Sequence, residues 1–226
     1  MILGVAGMVG AGKSTLTRAL AARFGLQLAL ESVDDDNPWL EKFYDGPEGM
    51  KAYALQLQLH FLATRFASLR RMRGTGGSWI LDRTWYEDAE IFARGLYDQA
   101  LLGEDGWQLY RQLYRELLYS PAARPPRLLI YLYAPLPVIL ERIQRRGRAM
   151  EKDTPEEYWV QLHARYESWI AGFRYCPVLF LDVRDYDLQA DPAAIEVLAD
   201  RVRLQLEGEL PQTELWPGSA GVRHAV

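Results

Sequence analysis

A single cysteine in 226 residues, Cys176, excludes an internal disulfide and suits a reducing compartment. It stands just before Pro177 and an apolar run, where a thiol reads as small core filler. Histidine is scarce too. His60 and His163 fall on helical stretches, His224 lies near the end, and no pair has metal-ligand spacing, so no histidine metal site is expected. No uninterrupted apolar stretch of about 18 residues occurs, so no membrane span is expected. Basic residues are not in excess, and a net charge of −4 argues against a nucleic-acid-binding surface. The chain reaches an apolar run at once, without a basic, apolar leader, which points to a cytoplasmic protein. Repeats, low-complexity blocks and linker-like composition shifts are missing as well. Periodicity fails only from about Glu209, where Pro211, Pro217, Gly218, Ser219 and Gly221 follow one another. One domain over 1–208 and a loose tail over 209–226 are expected. With 49% hydrophobic residues, that domain can bury a sizeable core.

What is present begins almost at the N-terminus. Gly7-Met8-Val9-Gly10-Ala11-Gly12-Lys13-Ser14 satisfies the G-x-x-x-x-G-K-[ST] pattern. Ahead of it, Ile2 to Ala6 is a short apolar run of the kind a buried parallel strand carries. Behind it, Thr15 to Phe24 places Leu16, Ala19, Leu20 and Phe24 on one helical face. Glycines let backbone N–H groups curl around phosphate oxygens, and the start of a helix adds its positive dipole end. Gly7, Gly10, Ala11, Gly12, Lys13, Ser14 and Thr15 are therefore the expected phosphate cradle, with Lys13 on the β/γ-phosphates and Ser14 offering its hydroxyl to Mg²⁺. A chance glycine turn is the competing reading, and the strand-loop-helix context argues against it.

Further along, Leu26 to Leu30 reads as a second buried strand ending at Glu31. Asn37-Pro38 resembles a helix start, with Trp39, Leu40, Phe43 and Tyr44 facing inward. A long helix is predicted from about Glu48 to Arg73, with Leu55, Leu59, Leu62, Phe66 and Leu69 as its apolar stripe. Gln58 and Arg65, two turns apart, share a face beside that stripe. Ser78 to Asp82, Arg127 to Tyr133 and Val178 to Val183 read as strands. Helices are predicted over 86–98, 105–118, 137–145, 154–173 and 192–207. Five apolar strands separated by helices predict an α/β fold: a five-stranded parallel sheet with helices on both faces, of the P-loop NTPase type. Ligands gather at the carboxyl ends of such strands, so the glycine loop, Glu31, Asp82-Arg83 and the segment after Val183 are expected to converge.

Asp82, closing an apolar strand, stands where a carboxylate helps hold Mg²⁺; the alternative is a cap for the next helix. Arg83 is placed to neutralise phosphate charge, or is a plain surface arginine. Glu31 can take or orient the proton of an acceptor hydroxyl, although polar residues often end strands. Arg142, Arg146 and Arg148, with Arg145 nearby, form a basic cluster around Gly147, followed by Glu151. Such a cluster can close as a lid over a polyphosphate, or simply suits the dipole at a helix end. The amide of Gln58 can read a base edge, since it carries both donor and acceptor, or it satisfies backbone and water. Arg65 and Asp88 can pair beside it.

These motifs, in this order, resemble the deoxynucleoside kinase family over roughly residues 1–190. Asp82-Arg83-Thr84, followed by Tyr86, Asp88 and Ile91-Phe92-Ala93, is similar to that family's [ED]-R-S block. Gln58 with Arg65 matches its base-reading pair, and Arg142-x-x-x-Arg146-Gly147-Arg148-x-x-Glu151 its lid. The resemblance implies a Mg-ATP-dependent 5′-kinase of deoxynucleoside salvage, leaning to deoxyadenosine or deoxyguanosine. Glu31 and Tyr44 would hold the sugar hydroxyls and Glu151 the 3′-OH. Gln58, Arg65 and Asp88 would read the base, and Arg83 would contact the 5′-oxygen. Asp82 would serve Mg²⁺, and either Glu31 or Asp82 would take the proton. Arg184 to Asp187, with Asp185, Tyr186 and Asp187 among them, resembles the loop that cradles the donor adenine. A homodimer is implied too. The family pattern is departed from at Asp82 and Thr84, where many animal members carry Glu and Ser. It is departed from also at Phe61, Trp85 and Glu87, near the base. A nucleoside-monophosphate or other small-metabolite kinase, and a nucleotide-binding switch without phosphotransfer, are the rival readings.

Overall fold

The computed structural model of the chain describes residues 1–29, 37–147, 154–186 and 191–208. Five strands, β1 (Ile2–Gly7), β2 (Gln27–Ala29), β3 (Trp79–Asp82), β4 (Leu128–Tyr133) and β5 (Val178–Asp182), form one sheet in the order β2-β3-β1-β4-β5. Every pairing is parallel. All six residues of β1 are buried, which is why the strand reads as a continuous apolar run and not as an alternation. Register sets Val5 beside Asp82 on one side and beside Ile130 on the other.

From β1 the chain crosses toward β2 on one side and later from β4 to β5 on the other. Right-handed crossovers in opposite directions cover opposite faces of the sheet with helices. The same reversal opens a crevice at the carboxyl end of β1.

The described residues divide into two compact units. The first draws on Met1–Leu30, Ser78–Arg83 and Pro126–Val226 and holds the sheet. Its helices are α1 (Lys13–Phe24), α7 (Leu136–Arg146), α8 (Glu156–Gly172) and α9 (Pro192–Glu207). α1 packs on α9, and α7 on α8. α8 buries Trp159, Leu162, Tyr166 and Ile170, a three- and four-residue spacing that makes one inward stripe. Its first residue is Glu156, with Pro155 at the cap position, so the helix expected from Thr154 begins two residues later. Cys176 is half-buried, and burial pushes its thiol up to about 12, which leaves it an inert filler.

The second unit draws on Glu31–Gly77 and Thr84–Pro125 and is helical. It holds α2 (Leu40–Phe43), α3 (Gly46–Thr75), α4 (Trp85–Glu87), α5 (Arg94–Asp98) and α6 (Gly103–Leu118). Between α4 and α5 the coil widens to a π-helix over Asp88–Ala93. α3 runs through Gly74 and buries Ala54, Leu57, Gln58, Leu62, Phe66, Leu69 and Met72. Leu55 and Leu59, expected in the stripe, are only half-buried. The buried face in the first half of α3 is turned toward Ala54 and Gln58 instead. The expected tail, residues 209–226, lies outside the described residues. Among the described residues no helix is long and apolar enough to cross a membrane.

Candidate active site

In the sheet unit, the loop between β1 and α1 is built around backbone that side chains reject. Gly7 has φ +140°, and a Cβ there would stand 2.5 Å from the carbonyl oxygen of Leu132. Gly10 has φ +85°, and its Cβ would meet Ile143 Cγ1 at 3.0 Å and the Ile139 carbonyl at 3.3 Å, so α7 presses close on the loop. Gly12, in a left-handed conformation, caps α1, and neither a side-chain cap nor an acidic residue occupies that helix start. Ala11 is buried, and its N–H donates to the Met8 carbonyl at 3.1 Å. Lys13 is buried, and its ammonium donates to the carbonyls of Gly7 at 2.8 Å and Met8 at 3.1 Å. Thr15 is half-buried in the first turn. A helix start without a side-chain cap or a first-turn acid, with a lysine in its first turn, suits a polyphosphate.

β3 delivers Asp82 to this place. Its carboxylate is buried, and its Oδ2 accepts from the Ser14 hydroxyl at 2.5 Å. Capping is not its task, because α4 is capped by Thr84: the Glu87 carboxylate accepts from the Thr84 N–H at 2.8 Å and from its hydroxyl at 3.2 Å. Arg83 is no surface arginine, being 6% exposed. Its φ is +73°, strained for a residue with a side chain, and its N–H donates to the Val5 carbonyl at 2.9 Å.

Arginines also fasten the segment after β5. Arg142 of α7 donates to the Val183 carbonyl at 3.0 Å, and Arg201 of α9 donates to the Tyr186 hydroxyl at 3.0 Å. Arg184 grips Asp182 through its guanidinium and its own N–H, holding that carboxyl below the usual carboxylate range. Asp185 is exposed. Arg146 closes α7 and is exposed, and Gly147 beyond it is left-handed at φ +65°. Glu31, Arg148, Glu151 and Asp187 lie outside the described residues. Among the described residues no group of three or more His, Cys, Asp or Glu side chains gathers as a metal cluster.

In the helical unit, the expected charged pair forms. Arg65 Nε donates to Asp88 Oδ2 at 2.8 Å, and Nη2 reaches Oδ1 at 3.4 Å. Gln58, one helix turn pair earlier on α3, is buried. Tyr44 does not face inward: it is 54% exposed, with its ring edge-on to Phe43 at 5.1 Å. The physical reason is that α2 is a single turn and Tyr44 falls just beyond it. Asn37 Oδ1 accepts from the Trp39 N–H, a local turn that delays the helix start. Trp85 and Glu87, expected near the base, are both fully buried, and Glu87 is occupied with its cap. The box Thr84-x-x-Glu87 is a recognisable capping pattern that the sequence reading passed over. The π-helix starting at Asp88 and the positive φ of Arg83 carry no such signal.

The comparisons with known proteins agree with one another. The deoxynucleoside kinase family model matches residues 3–206. The deoxyadenosine/deoxycytidine kinase of Bacillus subtilis is 43% identical over 201 residues, covering 89% of this chain and 91% of that one. The deoxyguanosine kinase of Lactobacillus acidophilus is 32% identical over 231 residues, covering 98% of each. Among solved structures, deoxyadenosine kinase from M. mycoides with bound dATP superposes with a TM-score of 0.74 at 26% identity, covering 90% of this chain and 100% of that one.

Proposed function

The chain belongs to the deoxynucleoside kinase family, and we propose that it moves the γ-phosphoryl group of ATP onto the 5′-hydroxyl of a purine deoxynucleoside, deoxyadenosine or deoxyguanosine. The single observation that carries the residue-level reading is the Ser14–Asp82 contact at the mouth of the glycine loop. It brings a hydroxyl and a carboxylate together beside a helix start free of side-chain caps. Two hard oxygen donors fit Mg²⁺, and Ser14 and Asp82 would hold it. When bound, that ion neutralises phosphate charge.

The amides of Gly10, Ala11, Gly12 and Thr15, with Lys13, bind the donor polyphosphate. Arg142, Arg146 and Arg148 form the lid that excludes water from it, so that the phosphoryl group reaches an alcohol and not a hydroxide. Asp185, Tyr186 and Asp187 cradle the donor adenine. On the acceptor, Gln58, Arg65 and Asp88 read the base, Glu31 and Tyr44 hold the sugar, and Glu151 takes the 3′-OH. Glu31 receives the 5′-OH proton as the new P–O bond forms, with Asp82 as the second candidate base. Arg83 meets the charge that develops on the transferred group, and its strained backbone is the kind that functional positions retain. The enzyme works in the cytoplasm as a homodimer, with residues 1–208 as its catalytic domain.

Turnover of the purified protein with Mg-ATP across deoxyadenosine, deoxyguanosine, deoxycytidine, thymidine and dAMP tests this. Phosphorylation of deoxyadenosine or deoxyguanosine at the 5′ position is the expected result. Activity on dAMP alone, or on none of the five, overturns the proposal.

A further inference from the structure

Among the buried polar groups of the helical unit to which the base-reading set gives no task is one on the helix that packs against that set. Tyr110 of α6 is 1% exposed, and its hydroxyl has no hydrogen-bond partner among the described residues. Keeping a hydroxyl dry and unpaired is costly, so such a group calls for an explanation. α6 packs on α3, which carries Gln58 and Arg65, and on the π-helix that opens with Asp88.

Neighbouring rings restrict it: Trp107 lies nearly parallel at 6.0 Å and 9°, and Tyr114 at 6.4 Å and 15°. Tyr97 extends the ladder against Trp107 at 5.1 Å. Burial and the negative charges of Asp88 and Glu90 hold the phenol protonated, so it is a donor toward the acceptors there. Asp88 has room for one: Arg65 binds its Oδ2 closely but reaches Oδ1 only at 3.4 Å.

We propose that Tyr110 is a positioning residue for the acceptor base, its hydroxyl donating to Asp88 when a nucleobase engages the Arg65–Asp88 pair. The inference rests on the base-reading role proposed above. A carboxylate only accepts hydrogen bonds, so fixing its direction favours bases with a donor at the matching edge. Adenine and cytosine carry an amino group where guanine and thymine carry a carbonyl. Tyr110 thus sharpens preference for deoxyadenosine over deoxyguanosine.

Tyr110→Phe removes the hydroxyl and keeps the ring ladder. The expected result is a KM for deoxyadenosine about tenfold higher, an unchanged KM for ATP, and a smaller ratio of deoxyadenosine to deoxyguanosine turnover. The melting temperature of the free enzyme stays level or rises, because an unpaired buried hydroxyl is gone. An unchanged KM for deoxyadenosine overturns the proposal. So does a lowered melting temperature with equal losses toward both substrates, which is what a packing role would give. Failure of the unaltered enzyme on every deoxynucleoside is a separate outcome, and it overturns the functional reading itself.

Discussion

Ser14 and Asp82 stand 68 positions apart in the chain, yet the hydroxyl of one donates to the carboxylate of the other at 2.5 Å. Asp82→Asn keeps the shape and removes the charge. Turnover should fall on the order of 10²-fold or more, with a steeper requirement for Mg²⁺. Steady-state rates over a magnesium titration check this, and a melting curve close to that of the unaltered protein separates it from misfolding.

Gly7→Ala puts a methyl carbon 2.5 Å from a backbone oxygen in a conformation that side chains avoid. Backbone cannot yield as a side-chain tip can, so the substitution should cost about 2–4 kcal/mol of stability. At Gly10 the nearest atom belongs to the Ile143 side chain, which can give, so Gly10→Ala should cost less while still weakening ATP binding. Urea denaturation of the two variants side by side makes the comparison.

Glu87→Ala removes the acceptor that serves both the N–H and the hydroxyl of Thr84. The loss should be about 1–3 kcal/mol, from the cap and from the donors left buried. Glu87→Gln, which keeps an acceptor oxygen, should lose markedly less in the same denaturation assay.

Gln58→Leu exchanges a buried amide for an apolar side chain of similar size. The fold should tolerate it within about 1.5 kcal/mol. The KM for the nucleoside should rise at least about tenfold while that for ATP holds, because only the acceptor loses a paired donor and acceptor. Initial rates with each substrate varied in turn decide it.

Asp182 is held below its ordinary 3.8 chiefly by the side-chain hydrogen bonds from Arg184. A depressed carboxyl contributes stability that is fully present above the unfolded value and is lost as pH falls through the folded one. Arg184→Gln should therefore lower stability slightly at neutral pH, where the contribution is fully present, and the two profiles should converge as pH falls below about 4. Melting temperatures measured from pH 7 downward test the sign.

The sheet was legible because strands buried on both faces leave uninterrupted apolar runs, and β1 and β4 are of that kind. The glycine loop was legible because its backbone demands glycine at fixed spacing. Arg65 and Asp88 were paired from spacing and resemblance together. What escaped depends on details that residue type does not encode. Arginine carries no hint of a positive φ, and nothing in Asp88–Ala93 distinguishes a π coil from an α coil. Tyr44 was misplaced because four residues of amphipathic pattern look alike whether the helix continues or stops at one turn. Gln58 entered the core of α3 in place of Leu59, since burial there follows packing partners and not hydrophobicity alone.

The π coil also bears on how the chain accommodates changes in its length. Such a coil is one residue longer than the α coil it replaces, so losing one residue there can be absorbed by tightening. Exposed Glu90 is the residue that could be lost without opening the interior. The same deletion inside α3 would turn everything beyond it by about 100°. A one-residue change in chain length can therefore be absorbed two residues from Asp88 without turning the helix that follows.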